Sequence, residues 1–203
     1  MIPCRLMKAC ETVYRTLARQ TNLPEFKEPI MISTAPSCAI LTPLSVKEAR
    51  FYFYTLLFVT GNIAFPAICH LAPNGGPTLL PIYFFTLIAG YRFGWPAALA
   101  TAILSPVANH FLTGMPPASM LSVILAKSIL LAFFASTAAR LFGLSFPAVA
   151  LAVLGYQVTG GMAEWIITGS WTAALADFRV GLPGILFQLI GGYAVLRLLC
   201  RRD

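Results

Sequence analysis

Two long stretches of the chain carry no charged side chain. No Asp, Glu, Lys or Arg occurs from Phe51 to Tyr91 or from Phe93 to Ala126. A helix needs about 20 apolar residues to cross a bilayer, so the first stretch is long enough for two crossings and the second for nearly two. Strands of a membrane barrel would alternate in segments of about ten residues, whereas these apolar runs are continuous. The sequence therefore predicts an all-α membrane protein.

The charged residues are concentrated at the N-terminus. Only 10% of the 203 residues are charged, against about 25% in a soluble domain, and residues 1–50 hold half of the Lys and Arg and four of the seven acids. We interpret 1–50 as a cytoplasmic, partly disordered leader, within which Met31 offers an alternative translation start. Residues 51–203 form the predicted membrane domain.

Six transmembrane helices are predicted in that domain, separated by clusters of Pro and Gly. Their approximate ranges are 51–68, 78–91, 95–112, 120–140, 146–168 and 180–198. If the spans alternate in direction, nearly all flanking Lys and Arg fall on one side, which predicts that both termini are cytoplasmic in the cytoplasmic (inner) membrane. We attribute the net charge of +7 to this topology rather than to a nucleic-acid partner.

With that topology, nearly every polar side chain that is costly in hydrocarbon lies in the outer half of the bundle. Lys127 and Glu164 have opposite charges at similar depth, which predicts that they pair. An ionisable residue at membrane depth favours a functional site, and the alternative is an ion pair that only locks two helices. The functional interpretation is an outward-facing pocket capped by the uncharged outer loops "APNGGPT" and "TGMPPAS". The candidate ligand-binding residues are Cys69, Asn74, Tyr83, Asn109, His110, Lys127, Glu164 and Gln188.

Cys69 admits two interpretations. A lone Cys at a span end is usually a small apolar filler. The alternative is a thiolate that supplies one axial ligand to a transition metal already held by a chelator, since thiolates suit such metals and the sequence has no Cys and His cluster for a complete site. If it faces the pocket, its neighbour His70 points away from it.

No enzyme is predicted, because the chain lacks HExxH, GxSxG and any acidic pair within a span. A small autonomous secondary transporter remains an alternative. The absence of a visible internal repeat and the apolar cytoplasmic half argue against a continuous path through the protein.

One segment resembles a known family. "GGPTLLPIYFFTLIAGYRFGWPAALATAILSPVANHFLTGMPP" is similar to the substrate-binding S-components of energy-coupling factor (ECF) vitamin transporters, through its Gly-Pro loop, "LLPI", "AGYRFG", "LSP" and "TGMPP". The resemblance covers about 65–143 well and 51–203 by span count.

The resemblance implies a six-helix protein that binds a vitamin or similar micronutrient with high affinity on its outer side. Such a protein has no cofactor of its own and hydrolyses nothing. It lies in membrane lipid and docks, through small residues of its first helix, onto an ECF coupling protein with two ATPases. Here that helix offers Gly61, Ala64 and Ala67, interrupted by Pro66, which departs from the family's Ala-xxx-Ala pattern.

Cys69 further resembles the loop cysteine of the solitary cobalamin-specific S-components, which implies cobalamin as the ligand and Cys69 as the axial ligand of its cobalt. The corrin would then lie near Tyr83, Asn109, His110, Lys127 and Glu164. Another vitamin, a nucleobase-like precursor or a lipid-like cofactor would fit the same scaffold.

Overall fold

The computed structural model describes residues 41–69 and 80–200, and most of these are helical. Most of the predicted leader, His70 and Asn74 lie outside the described residues. The part of the chain that is described contains no β-strand. The helices are α1 (Ala49–Cys69), α2 (Phe84–Phe93), α3 (Trp95–Thr113), α4 (Ala118–Phe142), α5 (Phe146–Thr168), α6 (Trp171–Val180) and α7 (Leu182–Cys200).

Four helices, α1, α4, α5 and α7, are long and apolar enough to cross a membrane. They correspond to the predicted spans 51–68, 120–140, 146–168 and 180–198, and they confirm the prediction of an all-α, multi-pass membrane protein. The predicted spans 78–91 and 95–112 correspond to α2 and α3, which are not among these four. At ten residues, α2 rises about 15 Å, half of a hydrocarbon core about 30 Å thick.

Glycine follows each of the helices α2 to α5, and after two of them it is left-handed. Gly114 follows α3 with φ of 72°, and its N–H donates to the His110 carbonyl. Gly169 follows α5 with φ of 69°, and its N–H donates to the Trp165 carbonyl. A left-handed residue at this position satisfies carbonyls that the helix itself leaves unpaired, and only glycine adopts it without strain.

The short helix α2 is surrounded by other helices. Its Leu87 and Tyr91 are fully buried, and a Cβ placed on Gly90 would lie 2.7 Å from the Cβ of Ala135 on α4. A 3-10 turn, Pro81–Tyr83, leads into α2. The close approach at Gly90 shows that α2 packs against α4 with almost no side chain between them.

The two ends of the bundle differ in charge. α1 begins where α2 ends, because the Thr42 N–H donates to the Arg92 carbonyl over 2.7 Å, and α4 and α7 end on the same side. We call this the basic end; its charged residues are Lys47, Glu48, Arg50, Arg92, Arg140 and Arg197. The opposite end, which we call the cavity end, collects the ends of α1, α3 and α5, the start of α4, the 3-10 turn and α6.

Helix α6 was not predicted. It occupies the interval between the predicted spans 146–168 and 180–198, and both Asp177 and Arg179 lie on it. Its sequence, "WTAALADFRV", contains good helix formers in Ala and Leu, yet it is too short and too polar to be recognised as a span. The helix positions Asp177 against the bundle.

Candidate functional site

A cavity of about 290 Å³ lies at the cavity end of the bundle. This volume is close to the lower limit of about 300 Å³ for small-molecule sites. Its polar lining among the described residues comes from Asn109, Lys127 and Asp177. The apolar lining residues are Pro66, Leu80, Pro81, Ile82, Tyr83, Met115, Pro116, Pro117, Met120, Val123 and Ile124. Mostly apolar walls with a few polar groups are typical of a small-molecule site.

An ion cluster forms one side of the cavity. The Lys127 Nζ atom lies 2.6 Å from Glu164 Oε2 and also contacts Asp177 Oδ2. The predicted pairing of Lys127 with Glu164 is therefore confirmed. The structure adds Asp177, which is not among the candidate ligand-binding residues predicted from the sequence.

The three charged side chains differ in exposure. The Lys127 and Glu164 side chains are 4% and 7% exposed, whereas that of Asp177 is 33% exposed. Lys127 and Asp177 line the cavity and Glu164 does not. A buried charge is costly unless it is paired and hydrogen-bonded, and Lys127 meets this condition through two charge-assisted bonds.

Helix packing fixes the position of the Lys127 side chain. A Cβ placed on Gly160 of α5 would lie 2.8 Å from Lys127 Cγ, closer than van der Waals contact allows. Gly160 lies one turn before Glu164 on the same helix, so the side-chain stem of Lys127 crosses α5 at the glycine before reaching the carboxylate. The adjacent Gly161 has no atom within 4 Å of the corresponding position.

We expect Gly160→Ala to displace Lys127 and to destabilise the protein by about 1–3 kcal/mol, the usual cost of an overpacked interior. Gly161→Ala is the matched control, because it makes the same change one residue away in open space and should be neutral or slightly stabilising. The measurement is the free energy of unfolding of the two variants in detergent micelles. Equal stabilities would contradict this account of how Lys127 is positioned.

Gln188 supports the cavity wall from behind. Its Oε1 accepts a hydrogen bond from the Tyr156 hydroxyl at 2.9 Å, and its Nε2 donates to the Leu80 carbonyl at 3.5 Å. Leu80 has a φ of 47°, a left-handed conformation that costs a residue other than glycine about 1–2 kcal/mol. Gln188, a predicted ligand-binding residue, is fully buried and does not line the cavity among the described residues.

Tyr83 and Asn109, two other candidates, do line the cavity. The Tyr83 ring packs against that of Tyr156 with centroids 5.6 Å apart. Asn109 Oδ1 accepts a hydrogen bond from Thr113 Oγ1 at 3.2 Å. Both side chains are almost completely buried, so each presents only a small surface to the cavity.

His110 holds the predicted outer loop "TGMPPAS" in place instead of facing the cavity. Its Nδ1 atom lies 2.7 Å from the Pro116 carbonyl, and because a carbonyl only accepts hydrogen bonds, Nδ1 carries the proton. The loop thus held contributes Met115, Pro116 and Pro117 to the cavity wall. His110 itself is not among the described lining residues.

Cys69 is a free, buried thiol at the end of α1. It does not line the cavity among the described residues, although Pro66, three residues earlier, does. Residues three apart lie on the same face of a helix, so the thiol is on the side of α1 that faces the cavity. Within residues 41–69 and 80–200, no group of three or more His, Cys, Asp or Glu side chains is arranged to hold a metal ion.

The chain matches no protein-family model, and neither a curated protein nor a solved structure shows a significant match to it. Tyr83, Asn109 and Lys127 meet at the cavity, and Glu164 and Gln188 lie behind it. A functional assignment has to start from this arrangement.

Proposed function

We propose that this protein binds a small, vitamin-type micronutrient in the cavity and serves its uptake across the cytoplasmic membrane, as an S-component does. The observation that carries the proposal is a cavity of about 290 Å³ at one end of a bundle of membrane helices, with apolar walls and a cluster of charged residues on one side. The protein binds and presents the ligand, and it performs no chemical reaction.

The proposed orientation places the cavity end outside the cell. Lys47, Arg50, Arg92, Arg140 and Arg197 lie at the opposite end, and an excess of Lys and Arg marks the cytoplasmic side of a membrane protein. In this arrangement the two remaining crossings come from α3 and from the segment formed by the 3-10 turn and α2, and both termini are cytoplasmic. The loop fastened by His110 then forms part of the outer cap.

The proposed partner is a membrane coupling protein with associated ATPases, bound through α1. Gly61 does not serve such a contact, because a Cβ placed there would lie 2.8 Å from the Phe85 ring inside the bundle. Ala64 and Ala67 are exposed, as is Thr60 on the same side of α1, and these small side chains would allow a partner helix to approach closely. An autonomous transporter is the alternative.

Cobalamin is a second candidate ligand, favoured by the free thiol of Cys69. A thiolate is soft enough to ligate a chelated transition metal, and Cys69 is at the cavity end of α1. The volume favours a smaller ligand, however, because sites for drug-sized molecules already reach about 1,000 Å³ and a corrinoid is larger than such molecules.

The test is to purify the protein in mild detergent, identify what co-purifies by mass spectrometry and visible absorption, and measure binding of that compound by calorimetry. Val123 lines the cavity on α4, so Val123→Trp should fill it and weaken binding at least tenfold. Leu141→Trp, at the exposed basic end of the same helix, is the control and should bind as the wild type does.

The outcomes of this experiment separate the candidates. A coloured corrinoid whose spectrum changes in Cys69→Ser would establish cobalamin, and a smaller vitamin would establish the first proposal. The proposed function is wrong if no micronutrient co-purifies with the protein and cells expressing it take up none. It is also wrong if both Trp variants bind the co-purified compound like the wild type.

A further inference from the structure

We infer that the ligand of this cavity carries a positively charged nitrogen, with the Asp177 carboxylate as its counter-ion. This inference rests on the proposed function, because it takes the cavity as the binding site. It adds a chemical class to the ligand, namely a small ammonium, amidinium or cationic heteroaromatic compound without a carboxylate or phosphate group.

The formal charges around the cavity do not cancel. No Asp, Glu, Lys or Arg occurs in 51–91 or in 93–126, so the walls formed by the end of α1, the 3-10 turn, the end of α3 and the first turns of α4 carry no such charge. The same holds for residues 70–79 by sequence alone. Among the described residues and 70–79, the charges at the cavity therefore come from Lys127 and the two carboxylates paired with it, which leaves a formal surplus of one negative charge.

The surplus negative charge lies on Asp177. Lys127 and Glu164 are both almost completely buried, and together they are neutral. Asp177 is the third member, it is 33% exposed, and it lines the cavity where Glu164 does not. Its Oδ2 atom is bonded to Lys127, and a carboxylate has about four acceptor positions on its two oxygens. Asp177 is therefore the carboxylate that can accept a hydrogen bond from a ligand.

The nearest cation in the sequence does not cancel this charge. Arg179 lies two residues after Asp177 on α6, and side chains two apart do not face each other on a helix. Arg179 is exposed to the surroundings and does not line the cavity among the described residues. A ligand nitrogen is thus the group best placed to complete the pairing of Asp177.

The rest of the cavity lining is mostly apolar. The same cavity is lined by Tyr83, Met120, Val123 and Ile124, which suit an apolar or aromatic body. A negative charge on the ligand would enter a site of low polarity next to a carboxylate, where like charges repel strongly. The cavity therefore selects compounds that are apolar over most of their surface and cationic at one end.

The test uses two probes of similar size and opposite charge, 2-phenylethylamine and 3-phenylpropionate. Their effect on the melting temperature of the purified full chain in detergent micelles is titrated at neutral pH. We expect the amine to stabilise the wild type and the acid to have no effect. Asp177→Asn keeps the neutral Lys127–Glu164 pair and should weaken amine binding about tenfold or more, since a hydrogen bond to a charged group contributes that much. Arg179→Gln is the control and should leave amine binding unchanged.

Three results would overturn the inference: acid binding as tight as amine binding, equal amine binding by wild type and Asp177→Asn, or no binding of either probe. Co-purification or uptake of an anionic vitamin would also overturn it, while leaving the proposed function intact. Conversely, selective amine binding by a protein that supports no uptake would sustain the cation site and contradict the uptake proposal.

Discussion

Replacing Lys127 with Met is expected to destabilise the folded protein by about 3–5 kcal/mol, the usual cost of removing one partner from a buried ion pair. The Lys127 ammonium is bonded to both Glu164 and Asp177, and the Glu164 side chain is only 7% exposed. Without the ammonium, two carboxylates remain close together in a region of low polarity. Unfolding in a series of mixed micelles measures the change in free energy.

The double variant Lys127→Met/Glu164→Gln distinguishes the loss of a pair from a general loss of packing. It removes the buried charge that the single change leaves behind, so part of the stability should return, and the cycle of single and double variants gives the coupling energy. Lys47→Met, at an exposed position before α1, is the control and should change stability by less than about 0.5 kcal/mol. A single variant as stable as that control would contradict the pairing.

The Lys127–Glu164 pair could be predicted because the sequence offers few alternatives. Within the spans these are the two residues of opposite charge at similar depth, and an unpaired charge at that depth is too costly to persist. The role of Asp177 could not be predicted in the same way. Its position depends on the direction of α6, a ten-residue helix whose placement is decided by packing rather than by its own hydrophobic pattern.

For the other polar candidate residues, too, the sequence predicted the location but not the role. Composition and depth placed Tyr83, Asn109, His110 and Gln188 in one half of the bundle, but they do not reveal which way a side chain points. His110 bonds through Nδ1 to the Pro116 carbonyl, and Gln188 bonds to Tyr156 and to the Leu80 carbonyl, so both side chains have partners within the protein. A polar residue in a span is therefore not by itself evidence of a ligand, and only the three-dimensional structure shows whether its partner belongs to the protein.

Asn62 is the clearest case of a polar residue whose role the sequence did not reveal. It lies within the uncharged stretch that begins at Phe51 and is fully buried in the structure. Its Nδ2 donates to Thr86 Oγ1 at 3.2 Å and to Ser105 Oγ at 3.0 Å, and its Oδ1 accepts from the Phe85 N–H at 3.2 Å. That N–H belongs to the first turn of α2, where a helix leaves its donors unpaired.

Asn62→Leu should therefore cost about 2 kcal/mol or more. Hydrogen bonds between membrane helices contribute about 0.6–1.7 kcal/mol each, and three are lost. The hydroxyls of Thr86 and Ser105 can turn to carbonyls of their own helices, whereas the direction of the Phe85 N–H is fixed by the backbone, so most of the cost should fall on the start of α2. Hydrogen exchange measured in micelles should show faster exchange at Phe85 than in the wild type.

Thr60→Val is the matched control for this change, since Thr60 is exposed on the same helix and its replacement removes one polar group without touching α2. If Asn62→Leu were as stable as Thr60→Val, the buried network would contribute nothing to the fold. The destabilisation expected for Asn62→Leu affects the cavity as well. α2 follows directly from the 3-10 turn that carries Pro81, Ile82 and Tyr83, so loosening its first turn should also weaken ligand binding, at a distance from the ion cluster and without changing any charge.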